Sequence, residues 1–223
     1  MITIDGPAGS GKSTTARLLA KRLDYLYLDT GAMYRAMALK ALRSRVDPGD
    51  ERSLEQLAER TSITVKTDPE GTRVILDGED VTESLREREV TRKSSMVAAV
   101  KGVRQRMVEL QRRIGAQGGI VAEGRDIGSV VFPDAEIKIY LEADLRCRAL
   151  RRKKDLDRAG ETMKLDRIVR DIAARDEYDS SREHSPLVVP QGAITIDTTH
   201  LTIDQQVERV LEEVKSRVGG GQS

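Results

Sequence analysis

Gly6-Pro7-Ala8-Gly9-Ser10-Gly11-Lys12-Ser13 satisfies the pattern G-x-x-x-x-G-K-[ST] in full, the signature of a phosphate-binding P-loop. Each part has a physical reason. The glycines let backbone N–H groups turn inward around phosphate oxygens, and the helix that follows presents its positive end to them. Lys12 supplies a mobile charge between β- and γ-phosphates, and the Ser13 hydroxyl is placed to ligate Mg²⁺. The context agrees with the motif. Ile2 and Ile4 read as a strand before the loop, and Ala16, Leu19, Ala20 and Leu23 recur at helical spacing after Lys12.

Working outward, Tyr25-Leu26-Tyr27-Leu28 reads as a second strand, and Gly31 leads into a helix through Met33, Met37 and Leu42. Asp47-Pro48-Gly49-Asp50 is a loop, and Ser53-x-x-Gln56 reads as a capping box opening a short helix. Ile63, Val65 and Thr67 then alternate with polar residues, Asp68-Pro69-Glu70-Gly71 has type I turn chemistry, and Val74-Ile75-Leu76 returns. Residues 62–85 therefore read as a β-hairpin insertion, with Asp77-Gly78 as a further turn. A helical region over 87–117, broken near Lys101-Gly102, ends at Gly118-Gly119. Ile120-Val121-Ala122, Ile137 to Leu141 and Ala193 to Ile196 read as further strands. Helices are predicted over 144–158, 165–178 and Ile203 to Val218, with a disordered Gly-rich tail.

Five short apolar strands separated by helices imply an α/β fold whose parallel sheet is covered on both faces, a three-layer P-loop architecture. Right-handed crossovers gather the strand ends, and any ligand, on one edge. The predicted organisation is a core over 1–61, an insertion with helices over 62–117, a continued core over 118–218 with a basic helical segment at about 146–163, and a tail over 219–223.

Composition narrows the partners. The 38 Lys and Arg nearly cancel 37 Asp and Glu, leaving a net charge of +1, which argues against a nucleic-acid or membrane binder. With no Trp and Phe132 as the only Phe, the core must be aliphatic. The single Cys147 cannot form an internal disulfide and reads as a small buried hydrophobe. Met1 to Ile4 run into the glycine loop without a basic region or a long apolar run, so a cytoplasmic protein is expected. His184 and His200 have no neighbouring Cys or paired His, so neither reads as a metal ligand.

Three clusters set an arginine beside hydrogen-bonding side chains: Asp29-Thr30-Gly31-Ala32-Met33-Tyr34-Arg35, Glu123-Gly124-Arg125-Asp126 and Arg175-Asp176-Glu177-Tyr178-Asp179-Ser180-Ser181-Arg182. Arginine grips a phosphate monoester with two parallel donors. Two of the clusters follow predicted parallel strands, where α/β proteins bind ligands. The ordered motifs GPAGSGKST, LDTGAMYR, EGRDIGSVVFPDA and RDEYDSSR, spread over nearly the whole chain, resemble bacterial cytidylate kinase, a family of nucleoside monophosphate kinases. The hairpin insertion resembles that family's enlarged monophosphate-binding insert, and the basic helical segment its lid.

The resemblance implies ATP as donor, bound by Gly6, Pro7, Ala8, Gly9, Ser10, Gly11, Lys12, Ser13 and Thr14, and CMP or dCMP as acceptor. Arg35, Arg125 and Arg182 match positions that hold the acceptor phosphate. Thr30, Arg104 and Asp126 match those contacting cytosine; Ser95, Arg175 and Asp179 match those around base and ribose. Arg151 and Arg152 match arginines that close over the transferring group, beside Lys12, Arg125 and Arg182 as catalytic cations. A carboxylate such as Asp126 accepts from the exocyclic amine of cytosine while Arg104 donates to the ring acceptors. Uracil would leave buried groups unpaired at about 1–3 kcal/mol. The sequence departs from the family pattern twice. Thr30 stands where Ser is common, keeping the hydroxyl and adding a methyl. Glu123 stands where Asp is expected, moving by one methylene a carboxylate that would orient Mg²⁺ waters; Asp29 is the alternative for that task.

An acceptor phosphate, with a second pKa of ~6, needs no general base. Alignment and charge stabilisation carry the reaction. Arg146 to Lys154 holds six basic residues in nine positions; most read as an exposed helix face, with Arg151 and Arg152 as exceptions. Two rivals stay open on the residues alone. One is a P-loop kinase for another small acceptor. The other is a GTPase-like switch, although no Asn-Lys-x-Asp guanine signature is present. A monomer acting on small molecules is expected.

Overall fold

A computed structural model describes residues 1–68, 71–158 and 160–219. In chain order the elements are β1 (Ile2–Asp5), α1 (Lys12–Leu23), β2 (Leu26–Asp29), α2 (Thr30–Arg43), α3 (Glu51–Arg60), β3 (Ile63–Asp68), β4 (Gly71–Leu76) and β5 (Glu79–Asp80). A 3-10 turn (Ser84–Arg86) leads to α4 (Arg88–Val97), α5 (Lys101–Gly115) and β6 (Ile120–Gly124). A π-helical turn (Ile127–Val131) precedes β7 (Ile137–Glu142), α6 (Leu145–Arg158), α7 (Leu165–Ser180), β8 (Ile194–Asp197) and α8 (Ile203–Gly219).

The predicted α/β class and five-stranded parallel sheet are observed, in the order β2-β6-β1-β7-β8. β1 pairs in parallel with β6, Asp5 opposite Gly124, and with β7, Asp5 opposite Tyr140; β7 pairs with β8, Ile139 opposite Ile194. A strand paired on both sides and covered on both faces has no exposed position, and all four residues of β1 are buried. The carboxyl ends of β1 and β6 carry the two motifs of interest, the phosphate loop and Gly124-Arg125-Asp126.

The chain forms two compact units, Met1–Tyr25 with Val121–Ser223, and Leu26–Ile120. The divisions therefore fall at 25/26 and 120/121, where the sequence suggests 61/62 and 117/118. In the first unit α1 packs on α8, and α6 on α7. The α6–α7 pair has a small core of its own, Ala149, Leu156, Ile168 and Ile172, flanked by Leu145, Met163, Leu165 and Val169. In the second unit α2 packs on α4, α3 on α5, and the insertion builds the order β3-β4-β5.

Three local expectations change, and one element has no counterpart in the sequence reading. The insertion has three strands: Asp77 (φ 50) and Gly78 (φ 92) both adopt left-handed backbone, turning β4 back into the two-residue β5. The cap of α3 is Asp50, whose carboxylate accepts from the Ser53 N–H at 3.1 Å and the Ser53 hydroxyl at 2.6 Å; Ser53 is the capped residue. The break between α4 and α5 lies at 98–100, and Gly102 sits inside α5. Gly102 serves a close approach instead. Its N–H donates to Glu55 Oε1 at 3.0 Å, and a Cβ there would stand 2.5 Å from Glu55 Cγ. Finally, a π-helical turn follows the second arginine motif. The centre of the predicted type I turn and the last residues of the tail lie outside the described residues, as does Ala159.

Candidate active site

The first unit supplies the phosphate loop and most of the predicted cations. Gly6 (φ 151) leaves β1 so close to β7 that a Cβ would stand 2.1 Å from the Leu141 carbonyl oxygen. Only glycine fits there. Gly11 (φ 94) opens α1, and its missing Cβ makes room for Gln206 of α8, whose Oε1 would lie 2.4 Å away. Gln206 is fully buried, accepts from the Thr15 hydroxyl at 3.0 Å and donates to the Leu201 carbonyl at 3.2 Å. It buttresses the first turn of α1 from behind. Lys12 Nζ donates to the Pro7 carbonyl at 3.1 Å, so the lysine arches over its own loop. Ser13 is exposed at the start of α1, and Thr14 is half-buried.

α6 and α7 bring further charge onto this loop. Arg148 is buried and donates to the carbonyls of Ala8 at 3.1 Å and Ala143 at 2.9 Å, and to the carboxylate of Asp176. Asp176 in turn accepts from the Ala8 N–H at 3.3 Å. Arg151 donates to the Thr198 hydroxyl at 3.1 Å, to the Thr198 carbonyl, and to Gly9 at 3.4 Å. Thr198 is itself anchored, its hydroxyl donating to the Ser10 carbonyl at 2.9 Å. Arg152 is exposed and makes no hydrogen bond or ion pair among the described residues. The two arginines expected to act alike thus differ: Arg151 braces the loop, and Arg152 is available to a ligand. The reading of this stretch as a mostly exposed face fails for Arg148. Cys147 is half-buried, its thiol donating to the Thr199 carbonyl at 3.3 Å.

Asp179, 1% exposed at its side chain, gathers three arginines. Arg125 donates to its Oδ2 from Nε at 2.9 Å, Arg182 donates to Oδ1, and Arg175 Nε stands 3.9 Å away. Arg175 and Asp179 share one face near the end of α7 because they are four residues apart, and Arg182, just beyond the helix, returns to the same carboxylate. Arg125 also donates through Nη1 to the Gly6 carbonyl at 2.9 Å, tying the group to the phosphate loop. Three guanidiniums around one carboxylate leave two positive charges in excess, the complement of a phosphate dianion. Asp126 and Glu123 are both buried on or just beyond β6.

Sequence reading missed Asp5. It is the last residue of β1, fully buried, and its two carboxylate oxygens accept from the Ile127 and Gly128 N–H groups, each at 2.8 Å. Burial pushes its carboxyl up to about 7, against the lowering effect of those N–H groups; Asp126 adds to the rise and Lys12 opposes it. No periodicity marks such a residue; the only cue is an acidic side chain closing an otherwise buried strand.

The second unit holds the remaining predicted contacts. Asp29 caps α2, its Oδ1 accepting from the Ala32 N–H at 2.9 Å, and its Oδ2 accepts from Arg35 at 2.8 Å. Both oxygens of the alternative magnesium-orienting carboxylate are therefore engaged. Thr30 and Tyr34 are buried on α2. The Arg104 guanidinium lies 5.4 Å from the centre of the Tyr34 ring and donates to the Ala98 carbonyl at 3.0 Å, which fixes a flat, charged edge between α2 and α5. Ser95 is half-buried on α4, which packs on α2.

Comparison with known proteins gives a consistent assignment. A protein from Pelotomaculum thermopropionicum named cytidylate kinase is 51% identical over 221 residues, covering 99% of this chain and 96% of its own. One from Desulfitobacterium hafniense with the same name is 48% identical over 220 residues, covering 99% and 94%. Among solved structures, an uncharacterized protein from Eubacterium ventriosum superposes with a TM-score of 0.51 at 13% identity, covering 96% of this chain and 98% of that one, a likeness of fold alone. The family model described as cytidylate kinase matches residues 2–216. A phosphate loop braced by α6 and α8, an arginine cluster tied to it through Gly6, and this full-length match place the chain in the cytidylate kinase family.

Proposed function

We propose that this chain transfers the γ-phosphoryl group of ATP directly to CMP or dCMP, giving CDP or dCDP. The observation that carries the reading is Arg125, which joins the Gly6 carbonyl to the Asp179 cluster and so sets cations for a second phosphate beside the loop for the first. The acceptor phosphate is a dianion near neutral pH, its second pKa being ~6, and attacks without a general base. Lys12 holds the β- and γ-phosphates, while Arg125, Arg182 and Arg35 orient the attacking oxygen in line. Bringing two anions together is the main barrier, and fixed cations lower it because they need no reorganisation as charge develops.

Among the described residues no group of three or more His, Cys, Asp or Glu is arranged to hold a metal ion. The donor set fits a Mg²⁺ ion that arrives with the triphosphate: the exposed Ser13 hydroxyl would ligate it, and Glu123 would orient its waters, the alternative Asp29 being engaged by the Ala32 N–H and Arg35. When bound, the ion would supply positive charge to the phosphate oxygens. Specificity rests on Asp126 and Thr30 with Arg104, and on Ser95, Arg175 and Asp179 around base and ribose. The enzyme acts as a cytoplasmic monomer with no nucleic-acid or membrane partner; no helix among the described residues is long and apolar enough to cross a membrane.

The test is a coupled ADP-release assay with ATP and Mg²⁺ across CMP, dCMP, UMP and AMP, with the product identified by chromatography. CMP and dCMP should exceed UMP in kcat/KM by roughly 10- to 100-fold. If CMP is left unconverted, the proposal fails. Changing Asp126 to Asn, which adds a donor facing the exocyclic amine, should erase most of the CMP-over-UMP margin; an unchanged ratio would remove Asp126 from base recognition.

The different surroundings of Arg151 and Arg152 separate their roles. Arg152→Ala removes an exposed side chain, so the melting temperature should hold while kcat falls by roughly 10²-fold. Arg151→Ala releases Thr198 and the phosphate loop, so its main effect should be a raised KM for ATP. Steady-state kinetics with each substrate varied distinguishes the two, and intact kcat in both variants would refute a closing role for α6.

A further inference from the structure

We propose that Asp5 is a positioning residue for the acceptor end of the reaction: its carboxylate clamps the turn that carries Arg125 and Asp126 onto the strand that leads into the phosphate loop. The inference rests on reading Arg125 and Asp126 as acceptor contacts.

Two oxygens holding two successive N–H groups, Ile127 and Gly128 at 2.8 Å each, fix both the place and the tilt of the peptide between them. The turn they hold behaves as one piece. The N–H groups of Val130 and Val131 both return to the Asp126 carbonyl, at 2.9 and 3.2 Å, and that of Phe132 to the Ile127 carbonyl at 2.7 Å. Arg125 and Asp126 immediately precede the clamped peptide, so a shift there moves both. Gly128 gives an independent sign of close seating. A Cβ at that position would stand 2.8 Å from Thr3 Oγ1, 3.2 Å from Asp5 Oδ2 and 3.1 Å from Pro190 Cγ. The chain has therefore kept room for the carboxylate from the turn's side as well.

The charge on Asp5 has no ion-pair partner at bonding distance among the described residues. Lys12 from α1, Asp126 from the turn and Tyr140 from β7 are the titratable or charged groups that face it. A carboxylate buried for stability alone would be expected to pair with a cation; this one holds backbone donors beside the acceptor arginine.

The test uses the full chain with Asp5→Asn and Gly128→Ala. The amide of Asn can accept from only one of the two N–H groups and turns its own N–H₂ against the other. Gly128→Ala keeps the carboxylate but pushes the turn away. Both variants should raise the KM for CMP roughly 10- to 100-fold and lower kcat, while affinity for a non-hydrolysable ATP analogue stays within about twofold. Amide hydrogen exchange over 125–131 should speed up in both. A lowered melting temperature with CMP and ATP affinities moving in equal proportion would make Asp5 merely structural and overturn the proposal, as would unchanged exchange in the turn. Failure of the unmodified protein to convert CMP would instead refute the acceptor assignment, and the exchange measurement would still decide whether the clamp exists.

Discussion

Arg125→Ala is expected to lower kcat for CMP phosphorylation by on the order of 10³- to 10⁵-fold, the loss typical when a transition-state arginine is removed from a phosphoryl-transfer site. The reason is positional as well as electrostatic. Arg125 follows directly on Gly124, the last residue of β6 in register with β1, and its fork is shared between the Gly6 carbonyl and Asp179. The guanidinium therefore stands beside the phosphate loop before any acceptor arrives. Its removal leaves Asp179 with Arg182 and the more distant Arg175, so the carboxylate stays neutralised and the fold should survive, with a cost of about 1–3 kcal/mol for the lost donors. Binding of an ATP analogue should change little because Lys12 and the loop remain. Arg125→Lys restores the charge as a single point and can reach only one of the two partners, so it should recover a small part of the rate. Steady-state kinetics, analogue titration and a thermal melt on the three proteins check this. A kcat within tenfold of the unmodified enzyme for Arg125→Ala would show that the cluster serves α7 and not the reaction.

The parts of the fold that were legible are those written locally. The glycine loop, the helix after it and the short apolar strands carry their reasons within a few residues, and each was found within a residue or two of its predicted place. What was not legible depends on partners far along the chain. Gln206 meets Thr15 across 191 positions, and nothing near either announces it. Arg148 lies in a run of basic residues whose composition suggests solvent; packing of α6 on α7 turns that one inward against Asp176. Gly102 has the composition of a helix break, yet the break falls at 98–100 without glycine or proline, because tertiary approach to Glu55 outweighs intrinsic propensity. β5 escaped notice since two residues have no period. The candidate site divides the same way. Lys12 and Arg125 could be named from motifs, whereas the braced state of Arg151, the exposure of Arg152 and the gathering of three arginines on Asp179 are properties of the assembled unit. Motifs state which charges are present; packing decides which remain available to a ligand.

The unfolding free energy of the native protein, relative to that of its Asp5→Asn variant, should fall by roughly 3 kcal/mol as pH rises from 4 to 7. The folded carboxyl is raised from 3.8 to about 7, chiefly by burial. A raised carboxyl binds its proton more tightly in the folded state than in the unfolded chain. The stabilisation is therefore complete below the unfolded value and is lost as pH climbs through the folded one. The carboxamide carries no such equilibrium, so the difference between the two proteins isolates it. Other carboxylates act in the opposite direction: Asp50, Asp80 and Asp197 are held below the usual range by hydrogen bonds from Ser53, Thr82 and Thr199. They are common to both proteins and cancel in the difference. Denaturant unfolding at several pH values would show converging curves if Asp5 titrates as described, and parallel curves would disprove it. The direction bears on function. A protonated carboxyl keeps only one good acceptor oxygen, whereas the ionised form can receive both the Ile127 and Gly128 N–H groups. The pH at which Asp5 is most costly to the fold is thus the pH at which it holds the acceptor turn most firmly, and the affinity for CMP should strengthen as pH passes through about 7, at the upper end of the interval over which stability declines.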